Sequence, residues 1–274
     1  MDREQKHRAR ARLALRAEQA FGLRSLPLRD GLNAEASVES SEIIAEEDAN
    51  LFRQPSAIQR AQVTLLTLDA SNMAALSREE KVSRLRELDA KEVSACVKCR
   101  LCEQRTHTVF GEGDPDAKIM FIGEGPGENE DRQGRPFVGR AGQKLDEMIG
   151  AMGLRREQVY IANIVKCRPP DNREPAPDEV ATCAPFLARQ IEIIRPRVIV
   201  TLGRPAAQHM LARTIAISKI RVQWQAWRGI KLMPTFHPAY ILRNYTAEIR
   251  AAVWDDLKKV LAELGLPVPA RKKS

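Results

Sequence analysis

The chain has no cysteine before residue 96 and no apolar run of the roughly 18 residues that a membrane-spanning helix requires. Its first residues also lack the short apolar stretch ending in small residues that marks a secretory leader. On these absences a cytoplasmic protein without a membrane partner is expected. Residues 1–26 are Arg-rich in the manner of a transit peptide, yet Asp2, Glu4 and Glu18 argue against one, because such peptides are poor in acidic residues. A solvated helix, or one that binds an unidentified protein partner, is expected there instead.

The 274 residues, 43% hydrophobic and 29% charged, suit a soluble globular protein and name no activity. The net charge of +8 is unevenly spread: residues 1–90 carry 14 Lys and Arg against 15 Asp and Glu, and residues 91–274 carry 30 against 21. The basic surplus therefore belongs to the C-terminal part, where it favours capture of a polyanion such as nucleic acid without proving it.

Four regions are expected. Residues 1–57 read as an N-terminal extension, largely helical or disordered, with an acidic linker (Glu35, Glu39, Glu42, Glu46, Glu47, Asp48). Residues 58–95 regain helical spacing, with Leu76, Val82, Leu85 and Leu88 among charges, and lead into the first cysteine. Residues 96–265 form the main domain, and 266–274 a basic tail. Within the domain, strand-like runs at 118–122, 159–165, 198–202 and 230–235 alternate with helical patterns at 141–152, 178–194 (with Asp178 placed to cap its start), 205–211 and 246–264. That alternation predicts an α/β fold, a parallel sheet layered between helices. Ligands in such folds bind beyond the carboxyl ends of the strands, which gathers Glu124, Asn163, Gly203 and His237 around one crevice.

All five cysteines, Cys96, Cys99, Cys102, Cys167 and Cys183, lie in the basic part. An odd number under reducing conditions points to metal binding or redox work more than to disulfides. A C-x-x-C step with two more thiolates from distant segments suits zinc or an iron–sulfur cluster, and spacing alone does not choose between them. On the residues alone, Cys167 and Cys183 also read as small buried apolar side chains. Cys102 is the expected non-ligand.

Five motifs stand together: Phe110-Gly-Glu-Gly, Gly123-Glu-Gly-Pro-Gly, Gly134-Arg-Pro-Phe-Val-Gly-Arg, Asn163-Ile-Val-Lys-Cys-Arg-Pro-Pro and His237-Pro-Ala-Tyr. With them, residues 96 to about 262 resemble the family 4 uracil-DNA glycosylases. The resemblance implies a three-layer αβα fold on a four-stranded parallel sheet and a [4Fe-4S] cluster held by Cys96, Cys99, Cys167 and Cys183. It also implies an activity: base-excision repair by hydrolysis of the N-glycosidic bond of deoxyuridine in DNA. A monomer is expected.

Chemistry supplies a task for each motif residue. A base must leave the duplex to be reached; Phe137 would stack on it, as an alternative to being an ordinary core residue. Asn163 offers one donor and one acceptor that match uracil O4 and N3–H and mismatch cytosine, although capping of the strand end competes as an explanation. Charge forming at O2 calls for a donor, and the resemblance implies His237 for it, where a structural turn residue is the competing reading. The glycines Gly123, Gly125 and Gly127 allow backbone to approach the nucleotide. Glu124 is implied near water or sugar, and Glu130 in the space that a thymine methyl would need. Gly125 stands where other glycosylases carry an Asp. Ile241, Leu242 and Arg243 would form a wedge with a phosphate-binding cation, with packing at a helix start as the alternative. A rival of another class is an iron–sulfur nucleic-acid-binding or electron-transfer module without hydrolytic activity, which needs the cysteines but not Asn163 or His237.

Overall fold

A computed structural model of the chain describes residues 76–270, all within the second of two units that divide between Met73 and Ala74. The expected extension 1–57, the first part of the helical lead-in and the end of the basic tail lie outside the described residues.

The described chain begins with helix α1 (Arg78–Leu88), which starts where it does for a local reason. The Ser77 hydroxyl accepts from the Glu80 N–H, and the Glu80 carboxylate accepts from the Ser77 N–H, satisfying two donors that a helix start leaves open. Leu85 and Leu88 bury one face of the helix in the core that contains the cysteines. The helix then widens into a single π turn over Asp89–Val93 and runs directly into Cys96.

Six strands follow: β1 (Glu112–Gly113), β2 (Ile119–Gly123), β3 (Tyr160–Asn163), β4 (Val198–Leu202), β5 (Gln225–Trp227) and β6 (Ile230–Thr235). They form one sheet in the order β1-β3-β2-β4-β6-β5. The inner four, β3-β2-β4-β6, are parallel and correspond to the four expected strands. The sheet is wider than expected because the short β1 and β5 add antiparallel edges. Strands of two and three residues are too brief to carry a periodic signal.

The inner strands are near-continuous apolar runs because both faces of a parallel sheet are covered. Alternation along each strand sorts their side chains. Met120, Ile122, Tyr160, Ala162, Ile199 and Leu232 enter one core; Ile119, Phe121, Ile161, Val200 and Met233 enter the other. Helices α4 (Pro177–Ile194) and α5 (Arg204–Leu211) join α1 over the first face, bringing Phe186, Leu187, Ile191 and Met210. Helices α3 (Arg140–Ala151) and α8 (Ala247–Glu263) cover the second with Leu145, Ile149, Leu257 and Leu261. Each such fully buried side chain contributes about 1.5–3 kcal/mol, so three layers follow from patterning alone.

Helix α4 begins one residue earlier than expected, with Ala176 in the N-cap position and Pro177 first in the helix; Asp178 sits in the first turn, where its charge favours the helix dipole, and is not the cap. Three short helices, α2 (Glu128–Gln133), α6 (Ile217–Ile220) and α7 (Pro238–Arg243), were too brief to read as periodic patterns.

Candidate active site and cysteine centre

The carboxyl ends of the parallel strands open into a cleft of about 810 Å3 lined by Glu124, Gly125, Gly127, Glu130, Phe137, Asn163, Gly203 and His237 among others. The expected crevice residues therefore share one site. They meet through close packing. A Cβ on Gly123 would lie 2.4 Å from Asn163 Oδ1 and 2.6 Å from Phe137 Cζ, so the amide and the ring converge over a position with no side chain.

Phe137 is held in an unusual pose. Its backbone is left-handed (φ 50°), and a Cβ on Gly142 would collide with its carbonyl at 1.9 Å. A helix starting with Arg140-Ala-Gly leaves room for that strained loop, and the surrounding structure must over-determine the conformation. Glu130 supplies part of the restraint: its carboxylate accepts the N–H groups of Gly127 (3.1 Å), Val138 (2.8 Å) and Gly139 (2.8 Å), tying the glycine loop to the Phe137 loop.

Asn163 ends β3 and is 1% exposed, yet its Oδ1 has no hydrogen-bond partner among the described residues. A buried acceptor left unmade costs about 1–3 kcal/mol, a cost that proteins keep where a ligand will supply the donor. The backbone beside it is fully used, with Ile164 N–H donating to Gly123 O (3.0 Å) and Val165 N–H to Glu124 O (3.1 Å), which locks the ends of β2 and β3 together.

His237 stands between β6 and α7. The Ala239 N–H donates to its Nδ1 (3.1 Å), so a neutral ring carries its proton on Nε2. Burial, aided by the Arg243 charge and opposed by Glu130, pushes the imidazolium pKa down to about 4. At neutral pH the ring is thus an uncharged donor. Its centroid lies 5.8 Å from that of Phe137, and Gly203, at φ 89°, admits the His237 Cβ to within 3.0 Å of where its own would stand. The end of β6 is anchored from behind by buried Asp256, which accepts from Thr235 Oγ1 (2.8 Å) and the Val222 N–H (3.0 Å).

Glu124 borders both this cleft and a second cavity lined by Glu174, Gln208 and His209. Burial, reinforced by the nearby Glu174 charge and opposed by Arg204, pushes its carboxyl up to about 7. Arg243 lines the cleft and is exposed, and Leu242 beside it in sequence is half-buried. Ile241, grouped with them as a wedge from sequence, is 2% exposed and packs in the second core, so it is unavailable to DNA; a three-residue motif cannot reveal which way a short helix turns.

The sequence reading missed several cleft residues: Asn172, Arg173, Arg204 and Tyr240 also line it. Asn172 lies in a left-handed turn (φ 55°) after Pro169-Pro170, and that proline pair was the available signal for a shaped loop. Buried Glu179 on α4 receives both Arg100, beside the cysteine turn, and Arg173, at the cleft, and the Arg173 hydrogen bond leads in pulling its pKa down to about 2.

The five cysteines line a single cavity with Val93, Arg105, Lys166 and Phe186. Arg105 Nη1 reaches Cys167 Sγ (3.2 Å) and Cys96 O (2.6 Å), and the Lys166 N–H donates to Cys183 Sγ (3.2 Å). Such donors stabilise thiolate sulfur. Burial pushes the Cys183 thiol up to about 11 and raises Cys167 and Cys99 as well, so in the free protein these groups hold protons that a metal would displace. Among the described residues no group of three His, Cys, Asp or Glu side chains is placed to hold a metal ion as the side chains stand, and the five cysteines share the lining of one cavity. Donor chemistry and enclosure fit a cluster bound by thiolates.

The family model described as the uracil DNA glycosylase superfamily matches residues 110–258. The chain is 50% identical over 185 residues to a type-4 uracil-DNA glycosylase of Thermotoga maritima, covering 67% of this chain and 94% of that protein. A type-4 uracil-DNA glycosylase of Sulfurisphaera tokodaii is 48% identical over 179 residues, 62% of this chain and 80% of its own. A type-5 uracil-DNA glycosylase of Pyrobaculum aerophilum is 32% identical over 175 residues, 56% and 75% of the two chains.

Proposed function

Because the chain belongs to the uracil DNA glycosylase superfamily, we propose that it is a base-excision repair enzyme that hydrolyses the N-glycosidic bond of deoxyuridine in DNA. Free uracil is released and an abasic site remains. The observation that supports this reading is the buried Asn163 Oδ1, without a partner among the described residues, which borders the same Gly123 as the Phe137 ring in the cleft that contains His237.

Each residue then has a task. Extrusion of the nucleotide costs a few kcal/mol, offset by stacking on Phe137 at about 1–3 kcal/mol per base. Asn163 Oδ1 accepts uracil N3–H while its amide N–H donates to O4; cytosine presents an acceptor at N3 and a donor at the 4-position, leaving both amide groups mismatched. As the glycosidic bond lengthens, charge gathers on the departing base, and the Nε2–H of neutral His237 donates to O2. A donor placed where charge develops is worth about 10²–10³ in rate. Water attacks the sugar carbon, and Glu124, whose carboxyl titrates near neutrality, is suited to take its proton. Glu130, clamped by three N–H groups, forms an unyielding wall that refuses the thymine methyl. Gly123, Gly125 and Gly127 bring the loop backbone against the nucleotide. Leu242 fills the vacated stack, and Arg243, with the basic surplus of residues 91–274, meets phosphate.

In the cysteine centre, Cys96, Cys99, Cys167 and Cys183 would hold a [4Fe-4S] cluster, with Cys102 on the same cavity left unligated. Its iron–thiolate bonds would staple the turn after α1 to the segment after β3 and to α4. No reaction step passes through it. The enzyme is proposed to act as a cytoplasmic monomer; among the described residues no helix is long and apolar enough to cross a membrane.

The test is direct. A uracil-containing oligonucleotide incubated with the protein should yield free uracil and alkali-labile strands. DNA binding without alkali-labile sites would favour a non-hydrolytic binding module and overturn this reading.

A further inference from the structure

Lys166 is 1% exposed, the most deeply buried cation near either site. Its Nζ donates to the backbone carbonyl of Asn163 (2.9 Å) and to Gln190 Oε1 (2.6 Å), and lies 5.9 Å from the Phe110 ring centroid. Gln190 is itself held, donating to Phe110 O (2.9 Å) and lying 3.4 Å from the Tyr160 hydroxyl. The lysine's own N–H donates to Cys183 Sγ (3.2 Å), its carbonyl accepts the Val109 N–H (2.7 Å), and the next residue is Cys167. Among the described residues no carboxylate pairs with the ammonium; burial lowers its pKa to about 8, still above neutrality, while Cys183 and then Asp89 oppose that fall from further off.

Two neutral acceptors do not compensate a buried ammonium, and an apolar residue of the same length would fill the space at less cost. A cation retained here implies anionic charge nearby. The thiolates that a bound metal creates at Cys183 and Cys167 supply it, since ligating cysteines are deprotonated. The same ammonium holds the peptide carbonyl of the residue whose amide faces the cleft.

We infer that Lys166 is a positioning residue joining the two sites: one buried cation that balances thiolate charge at the cysteine centre and fixes the backbone from which Asn163 reads the base. The inference rests on the proposed reading of both sites.

The test uses the full-length, iron-loaded protein and Lys166→Met, which keeps the length and removes the charge. Single-turnover excision from a uracil oligonucleotide should fall on the order of 10- to 100-fold, the usual effect of removing a group that orients a ligand. DNA affinity should change little. The reduction potential of the centre should shift negative, because loss of a nearby cation disfavours the added electron. A folded variant with wild-type rate and potential overturns the inference; a slowed rate with an unmoved potential overturns the link to the centre. If Lys166→Met does not take up iron, Gln190→Met removes one Nζ acceptor and leaves the charge, and it should slow excision with iron content retained; a wild-type rate there overturns the inference. Wild-type protein that lacks iron or excises nothing would overturn the underlying reading, and this is seen before any variant is compared.

Discussion

Gly123→Ala isolates the geometry of base recognition with the addition of one methyl group. The new Cβ would stand 2.4 Å from Asn163 Oδ1 and 2.6 Å from Phe137 Cζ, against the 3.4 Å at which ordinary contact begins. The amide must therefore retreat by about 1 Å and the ring by slightly less. Phe137 has little freedom to do so, since Gly142 and the Glu130 clamp restrain its loop. Gly123 is not at positive φ, so the alanine backbone itself is unstrained. Overpacking of this kind costs about 1–3 kcal/mol, a drop of several degrees in Tm that leaves a domain folded at 25 °C. Misplacement of a reacting group by about 1 Å costs on the order of 100-fold in rate, equivalent to about 2.7 kcal/mol of barrier. Single-turnover excision on a uracil oligonucleotide, with strand breakage by alkali as the readout and Tm measured in parallel, separates the two effects. A folded Gly123→Ala protein that excises within about threefold of wild type would falsify the convergence of Phe137 and Asn163 on one bound base.

Asn163→Ala should lose excision by at least about 10²-fold while binding abasic-site DNA nearly as well as wild type; equal loss of both in a gel-shift titration would contradict a base-reading role. Glu124 carries a folded-state pKa of about 7 against an ordinary 4.5, so the folded state binds more protons between those values, and its contribution to stability declines as pH rises through that window. Glu124→Gln should therefore gain Tm relative to wild type between pH 5 and pH 7.5, and should lose the rise in excision rate through pH 7 that a general base confers; parallel profiles for the two proteins would remove Glu124 from that role. Cys183→Ser should be purified with little iron and Cys102→Ser with a full complement, measured as iron per chain, and the opposite pattern would reassign the ligands.

The backbone clamp on Glu130 and the neutral tautomer of His237 illustrate a common device. Both come from backbone N–H groups, at Gly127, Val138 and Gly139 for the carboxylate and at Ala239 for the ring. Side-chain roles set by backbone donors leave no trace in residue identity, which is why Glu130 read only as a wall and His237 only as a donor of unstated charge.

Hydrophobic pattern along the chain was enough to identify the four parallel strands, the helices between them and the crevice at their carboxyl ends, because buried parallel strands must be apolar throughout and ligands collect where the strands end. The resemblance carried by the five motifs singled out Phe137, Asn163, His237 and the cysteines as candidates, and the structure sets the first three around one cleft. The tertiary structure alone decided what depends on distance between remote segments. It buries Ile241 in the core, brings Cys102 to the same cavity as the other thiols, gives Glu124 a carboxyl pKa near neutrality, and joins Lys166 to both Asn163 and Cys183. The reason is physical: strand and helix signals are local periodicities, whereas burial, charge and hydrogen-bond satisfaction are set by neighbours that the order of residues does not specify.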